Sequence, residues 1–394
     1  MLKQRIPGLP HLLWWREESE SLIYCSKRFS LVHADRLLTS WFEELTDHSL
    51  QQPIDLYQAT FQLPEQIRQV ARHLLDSTIA WDLEEEKEVN PPHIWTVPFS
   101  SDIEPLRISV GGLSVALYCQ DVEIMAILKE LLIPISQSQT TDKLLSTQSW
   151  YLIKESDSWS IGDFHQRWYQ QLTDEQVIPL LVDQLQQRSY QQSGYQLAFH
   201  GAAVRYIEPE SRQAYDILIP GSSGCGKTTL ALALCLQGAR AYTDESITLD
   251  KKWKLHPIPV PFAIKQGSWK LLAEWGSKDN KEINDTVFER RDGRRLRYWW
   301  PPKPFMAEPA TMAKTIILLP QYLADQETLL RPASLIDTTQ SMALGGYQQE
   351  NTQDPNVIPS YIDWLNQVSR LHINYANANE AVKLLFKHLA SHND

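Results

Sequence analysis

Hydrophobic and polar positions follow two kinds of spacing over residues 1–90. Residues 21–25 and 29–32 are predicted to form two short strands, joined by a turn at Lys27 and Arg28. The next segment has helical spacing, with an apolar face made of Leu37, Leu38, Trp41, Phe42 and Leu45. A second helix is predicted to begin at Pro64, and the acidic run 84–88 followed by residues 90–92 is typical of a linker.

From about residue 95 the pattern favours strands. Residues 106–110 and 113–118 flank Gly111 and Gly112, which predicts a hairpin. Apolar runs predict further elements, namely a strand at 150–153, a helix at 177–185, strands at 195–204 and 214–220, and terminal helices at 359–371 and 377–390. Strands and turns are expected to dominate up to about residue 320.

Length and charge narrow the class of protein. The chain has 394 residues, enough for two or three domains, and a formal net charge of −11, which disfavours a nucleic-acid binder with a broad basic face. Its four cysteines, at positions 25, 119, 225 and 235, lack metal or disulfide spacing and fit free thiols in a reducing cytosol. With no secretory signal and no membrane-spanning stretch recognised, a cytoplasmic protein that binds no membrane is expected.

A phosphate-binding loop is the most specific motif of the sequence. The pattern G-x-x-x-x-G-K-T is formed by Gly221, Ser222, Ser223, Gly224, Cys225, Gly226, Lys227 and Thr228. An apolar strand precedes the loop, and a strong helix former begins at Thr229, so the helix amino terminus is expected to face the phosphates. Lys227 would reach the β- and γ-phosphates and Thr228 would ligate Mg²⁺. The sequence therefore predicts that the protein binds Mg-ATP.

Two acidic residues follow this loop closely. After Lys227 the chain has one short helix that ends near Gly238, one turn and one strand before Asp244 and Glu245. Such a path can return both carboxylates to the mouth of the loop. There a carboxylate can hold Mg²⁺ or accept the proton of an attacking hydroxyl. The alternative is a solvated acidic turn.

These motifs together resemble the HPr kinase/phosphorylase superfamily, whose fold is shared with phosphoenolpyruvate carboxykinase. The resemblance covers about 95–390 and is specific over 200–250. It rests on His200-Gly201 in the upstream strand, on the phosphate loop, and on Gly238 followed by the acid pair. It implies that Asp244 is the general base and that Glu245 supports it near the metal with Thr228. Because the family's pair is usually Asp-Asp, Glu245 could share or take the role of the base.

Three further features have two interpretations each. The resemblance implies a site role for His200, whereas a lone histidine on an apolar strand is often a core residue. The proline-rich segment 257–265 resembles one that ends in lysine in relatives of these kinases, so Lys265 faces either the nucleotide or acceptor, or the solvent. The arginine-rich run 290–297 predicts either a mobile loop that binds phosphate or an acidic substrate, or a solvated hairpin.

The chain departs from the bacterial regulator in two respects. Residues 208–212 look like an insert, and the glutamate-bearing segment used for the reverse, phosphorolytic reaction is not found. A one-way kinase is therefore the better interpretation.

The N-terminal segment is similar, more weakly, to a winged-helix, PqqD-like element that binds peptides. Residues 1–90 hold nine Lys/Arg and fifteen Asp/Glu, a net charge of −6, which disfavours DNA. An exposed strand edge would instead capture an extended peptide by strand addition, as in enzymes that modify ribosomally made peptides. The alternative is a structural extension that packs on the kinase domain.

The predicted organisation is an α+β protein with a winged-helix-like module at 1–90 and an HPr-kinase-like ATP-binding domain at 95–394. That domain would comprise a β-rich part at 95–195, the phosphate-loop core at 196–320 and a helical part at 321–394. The predicted function is ATP- and Mg²⁺-dependent phosphorylation of a Ser or Thr in a peptide or protein, such as a precursor peptide docked on 1–90. Alternatives are a nucleotide-gated peptide-binding protein and a kinase of a free hydroxy compound. Monomer and homo-oligomer both remain open.

Overall fold

The structure is a computed structural model that describes residues 3–6, 9–26, 30–49, 68, 70–71, 103–136, 147–192, 194–222, 224–269, 286–301, 312–344, 347–349 and 354–391. The chain forms two compact units. The first comprises Met1–Glu88, Pro332–Leu344 and Asn351–Arg370, and the second comprises the rest. Helices and strands are mixed in the chain, so the predicted α+β class is confirmed. Among the described residues, no helix combines the length and apolar character that a bilayer crossing requires.

The first unit begins with an antiparallel sheet. Its strands follow one another in space as in sequence: β1 (Lys3–Ile6), β2 (Leu9–Glu17), β3 (Glu20–Cys25) and β4 (Ser30–Ala34). Helix α1 (Arg36–Ser49) comes next, and the Asp35 carboxylate accepts a hydrogen bond of 2.9 Å from the Leu38 amide at its start. Ile23, Leu38 and Phe42 are buried between sheet and helix.

The predicted strand pair and first helix are thus confirmed, but β1 and β2 were not predicted. Strand β2 has adjacent apolar residues rather than strict alternation, and Pro10 near its start argues against a strand in sequence terms. The predicted helix from Pro64 and linker at 84–92 lie outside the described residues, except for the helical residues 68, 70 and 71.

The second unit starts with a five-stranded sheet. Its elements are β5 (Leu106–Val110), β6 (Leu113–Cys119), α2 (Val122–Leu132), β7 (Gln148–Glu155), β8 (Ser158–Asp163), β9 (Arg167–Leu172) and α3 (Asp174–Gln192). The strand order is β5-β6-β7-β8-β9, and only β6 and β7 are parallel. The predicted hairpin, strand and helix are confirmed here, whereas α2 was not predicted. Helix α2 connects the parallel pair, as a parallel connection requires.

A nine-stranded sheet carries the phosphate loop. Its elements start with β10 (Leu197–Ile207), β11 (Ala214–Pro220), α4 (Lys227–Leu236), β12 (Arg240–Thr243), β13 (Ser246–Leu249) and β14 (Leu255–His256). A separate three-stranded sheet follows, made of β15 (Phe262–Lys265), β16 (Phe288–Glu289) and β17 (Arg295–Trp299) in the order β15-β17-β16. The predicted strands at 195–204 and 214–220 correspond to β10 and β11.

The C-terminal part returns to the large sheet. It comprises β18 (Ala313–Tyr322), β19 (Leu329–Pro332), α5 (Leu335–Leu344), β20 (Tyr347–Gln349), α6 (Val357–Leu365), β21 (Ser369–Tyr375) and α7 (Ala378–Ser391). The sheet order is β14-β13-β10-β11-β18-β21-β19, with β12 and β20 also paired to β10. Helices α4 and α7 contribute to one apolar core that includes Leu230, Leu234 and Leu385.

The prediction of a helix at 359–371 is wrong in its second half. Helix α6 ends at Leu365, and residues 369–371 begin strand β21. In β21 buried side chains alternate with partly or fully exposed ones, as a strand with unlike faces requires. The apolar spacing of 359–365 does not therefore extend through Leu371. The last predicted helix, 377–390, corresponds to α7.

The predicted helical part at 321–394 is divided between the two units, because α5 and α6 belong to the first unit. The Glu17 carboxylate at the end of β2 accepts hydrogen bonds from the amides of Leu335 (2.9 Å) and Ile336 (3.0 Å). It thus caps the amino terminus of α5. The Trp15 indole donates to the Asp363 carboxylate of α6 at 3.2 Å. No short-range sequence pattern reports such contacts between distant segments.

We predict that Glu17→Ala destabilises the first unit by about 1 kcal/mol, because two amides of α5 lose a charged acceptor. Urea unfolding, together with amide hydrogen exchange over 335–344, measures the effect. The exposed neighbour Glu18 is the matched control, and Glu18→Ala should leave both readouts unchanged. Equal exchange over 335–344 in the two variants would contradict the capping role.

Candidate functional site

The phosphate-loop motif lies between β11 and α4, as the sequence predicts. All of β11 is buried, and α4 begins at Lys227. Gly226 has a φ of 103°, in the left-handed region. A Cβ atom there would lie 2.2 Å from the Tyr375 hydroxyl, so the position accepts no side chain. Ser223 lies outside the described residues.

Two tyrosines hold the backbone of the loop. The Tyr375 hydroxyl donates to the Gly226 carbonyl at 2.8 Å, and the Tyr322 amide donates to the Cys225 carbonyl at 3.1 Å. The Leu323 amide donates to the Tyr375 carbonyl at 2.9 Å, which ties the ends of β18 and β21 together. Burial raises the pKa of Tyr375, so its hydroxyl stays a neutral donor. Sequence reasoning missed both tyrosines, because they come from strands far along the chain.

Lys227 is buried in the loop, with only 6% of its surface exposed. Its Nζ donates to the Ser222 carbonyl at 2.9 Å. Burial is the main cause that lowers the pKa of Lys227, and the charge of Lys265 lowers it further. Asp244 and Glu245 act in the opposite direction. A phosphate in the loop would offer this ammonium group a stronger partner than a single carbonyl.

Asp244 and Glu245 lie between β12 and β13, which both pair with β10. Thr243 is the partner of Ala203 and Ser246 is the partner of His200, so the acids lie opposite the middle of β10. The Gly201 amide donates to the Glu245 carbonyl at 3.1 Å. A Cβ at Gly201 would lie 2.6 Å from Ile247 Cδ1, which explains the glycine after His200.

Asp244 points inward and is 2% exposed. Among the residues that the structure describes, neither of its carboxylate oxygens has a hydrogen-bond partner. Burial and the charge of Glu245 raise its pKa well above the ordinary value of 3.8. The Thr228 hydroxyl and the Ala263 amide lie near enough to oppose that rise, although neither makes a hydrogen bond of ordinary geometry to it. A buried carboxylate in this state is costly to the fold and well suited to a cation.

Glu245 has two charged side chains as neighbours, His200 and Arg290. Its Oε2 lies 3.0 Å from His200 Nδ1, and its Oε1 lies 3.7 Å from Arg290 Nη1. Burial alone would raise the pKa of Glu245, but the hydrogen bond from His200 and the charges of His200, Arg290 and Lys265 lower it overall. The side chains of His200 and Glu245 remain 34% and 26% exposed. His200 is therefore beside the acids and not in the apolar core.

The arginine-rich run 290–297 forms a hairpin, which is one of the two structures that the sequence predicts. Strands β16 and β17 pair, and the Arg290 amide donates to the Arg294 carbonyl at 2.9 Å across the turn. Arg294 pairs with Asp292 and is exposed. Arg290 reaches Glu245, and it also binds Asp183 of α3 at 2.7 Å. Sequence reasoning missed Asp183, whose pKa is raised by burial in spite of Arg290.

Lys265 and Thr229 also lie around the loop. The Lys265 charge acts on both Lys227 and Glu245, which favours the interpretation of a site residue over that of a remote surface lysine. The Thr229 hydroxyl lies 3.2 Å from the Ser268 hydroxyl. Within the described ranges, no three His, Cys, Asp or Glu side chains are grouped as a metal site. Mg²⁺ commonly needs only one or two carboxylates beside substrate phosphates.

Comparison with known proteins adds no relative: no protein-family model matches the chain, and no curated protein matches it. The resemblance to the HPr kinase/phosphorylase superfamily therefore rests on the residues themselves. They are His200-Gly201 on β10, the loop motif, and Gly238 followed by the acid pair.

We predict that Asp244→Asn, measured without nucleotide and Mg²⁺, unfolds at a higher temperature than the wild type. The substitution keeps the shape but removes a buried carboxylate without hydrogen bonds, a gain of about 1 kcal/mol or more. Differential scanning calorimetry measures it, with Asp292→Asn as the control at an exposed carboxylate that Arg294 already pairs. A clear loss of stability in Asp244→Asn would mean that the carboxylate has partners in the folded protein.

Proposed function

We propose that the protein is an ATP-dependent kinase that transfers the γ-phosphoryl group to a hydroxyl, that of Ser or Thr in a peptide or protein. The observation that carries the proposal is the unlike environment of two adjacent acids beside one phosphate loop. Asp244 is buried without partners near Thr228, whereas Glu245 is partly exposed and held by His200. A protein that only binds nucleotide has no need of the second, accessible carboxylate.

The nucleotide phosphates would bind in the loop. Backbone amides of the loop and the amino terminus of α4 supply partial positive charge, and Lys227 supplies a full one. The desolvated ammonium group makes each of these contacts stronger than it would be in water. These groups would bind the phosphates and stabilise the charge that develops on them during transfer.

Thr228 and Asp244 fit Mg²⁺ better than Thr228 and Glu245. The Thr228 hydroxyl, the Ala263 amide and the Lys227 charge all act on Asp244, and within the described residues its oxygens have no hydrogen-bond partner. Bound there, the ion would screen the charge of the β- and γ-phosphates. This assignment exchanges the roles that the resemblance implied for the two acids, since Glu245 already has His200 and Arg290 as partners.

Glu245 would then accept the proton of the attacking hydroxyl. The acceptor oxygen forms a bond to the γ-phosphorus, the bond from that phosphorus to the β-γ bridging oxygen breaks, and the proton passes to a Glu245 carboxylate oxygen. His200 orients that carboxylate. The pKa of Glu245 is lowered, so Glu245 is more a positioning group than a strong base. That is sufficient, because catalysis of phosphoryl transfer rests mainly on position and charge.

The first unit supports the proposal that the acceptor is a peptide or protein. In the part of the chain that the structure describes, β1 and β4 are the outer strands of its antiparallel sheet, and an extended peptide can add to such a strand. The contacts of β2 with α5 and α6 also support the alternative, in which residues 1–90 are a structural extension. Deleting residues 1–92 would remove the contacts of β2 with α5 and α6. Point variants are therefore the better test of whether residues 1–90 bind the acceptor peptide.

We predict that Lys227→Ala abolishes phosphate transfer from labelled ATP and weakens Mg-ATP binding at least tenfold, because the loop loses its lysine ammonium. Transfer is measured on Ser/Thr peptides and on free hydroxy compounds, and binding is measured by titration calorimetry. Lys314→Ala, at an exposed lysine of β18, is the matched control and should behave as wild type.

Each outcome decides between the candidate functions. Transfer to free hydroxy compounds but to no peptide would favour the small-molecule kinase. ATP binding that depends on Lys227 without transfer to any acceptor would favour the nucleotide-gated binding protein. Wild-type affinity and rate in Lys227→Ala would refute the phosphate-loop assignment itself.

We predict a different defect for each acid. Asp244→Asn should raise the Mg²⁺ concentration needed for half-maximal activity, whereas Glu245→Gln should keep the Mg²⁺ requirement and lose about 10²–10⁴-fold in kcat. Mg²⁺ titrations of initial rate at saturating ATP measure both quantities. The reverse pattern would restore the roles that the resemblance implied, and full activity of both variants would argue against a kinase.

A further inference from the structure

Strand β18 runs alongside the phosphate loop. It is parallel to β11, with Leu218 the partner of Ile317, and it continues to Tyr322 while β11 ends at Pro220. The last residues of β18 therefore extend past the carboxyl end of β11. In open sheets with parallel strands, ligands bind beyond the carboxyl ends of those strands.

Tyr322 is fixed against the loop by its own backbone. Its amide donates to the Cys225 carbonyl at 3.1 Å, and its Cβ lies 3.4 Å from the point where a Cβ of Gly226 would be. Its ring makes an edge contact with the ring of Tyr375, at 5.8 Å between centroids and 73° between planes. The position of Tyr322 beside the loop is therefore fixed by its backbone and by the Tyr375 ring.

Tyr322 is nevertheless 53% exposed. Burial of a tyrosine ring is favourable, so an ordered ring left open beside a ligand loop provides surface for that ligand. A nucleotide held by its phosphates in the loop carries a flat aromatic base a few ångströms beyond them. Base and tyrosine rings stack without regard to base identity, since every base has a π-face.

We propose that the Tyr322 ring is the stacking surface for the base of the nucleotide whose phosphates occupy 221–228. The inference rests on the proposed function and adds the base subsite to it. Recognition by stacking alone predicts little discrimination between ATP and GTP, because hydrogen-bond readout is what separates the purines.

The experiment compares nucleotides with a probe that has no base. Stacking on an aromatic ring amounts to about 1–3 kcal/mol per base, so Tyr322→Ala should raise the Kd of Mg-ATP and of Mg-GTP about tenfold. The Kd of Mg-tripolyphosphate should stay within about twofold, because the Tyr322 backbone amide is retained. Tyr322→Phe should bind as wild type. Phe164→Ala, at another exposed ring of the same unit, is the matched control.

Other outcomes overturn the proposal in distinguishable ways. Equal losses for ATP and tripolyphosphate would mean that the substitution deforms the loop. Unchanged ATP affinity with a raised KM for the acceptor would assign the ring to the acceptor. A wild-type protein that binds neither ATP nor tripolyphosphate would refute the proposed function, and the base subsite with it.

Discussion

The backbone pairing of β10 is the constraint on which the site depends. Along its length β10 pairs with β11, which leads into the phosphate loop, and with β12 and β13, which flank the two acids. The site residues on these strands are thereby held in register by main-chain hydrogen bonds. Gly201, at the centre of this pairing, is needed because Ile219 and Ile247 leave no room for a side chain.

The buried polar groups of this sheet region differ in their hydrogen-bond partners. Arg205 and Asp216, on β10 and β11, form a buried two-point ion pair, with distances of 2.7 and 2.9 Å. Among the described residues, the Asp244 carboxylate has no hydrogen-bond partner, and the Lys227 ammonium group donates to the Ser222 carbonyl. The sheet thus pairs a buried charge at Arg205 and Asp216, and the contrast with Asp244 and Lys227 supports the proposal that a ligand binds beside these two residues.

Local patterns predicted a good part of this arrangement. The loop, the strands before it and the spacing to the acids were readable because each depends on neighbours in sequence. The different partners of Asp244 and Glu245 were not, since His200 and Arg290, which contact Glu245, lie on distant segments of the chain. The contacts of Arg290 with Asp183 and of Tyr375 with Gly226 link residues more than a hundred positions apart, and no periodicity encodes them.

The hydroxyl of Tyr375 has a consequence for synthesis of the chain. It supports Gly226 from 149 positions downstream. During translation the motif therefore emerges from the ribosome long before the strand that shapes it. A nascent chain that has not yet produced β21 lacks this support. Under the proposed function, its loop would bind nucleotide weakly, and tight nucleotide binding would report that β21 has joined the sheet.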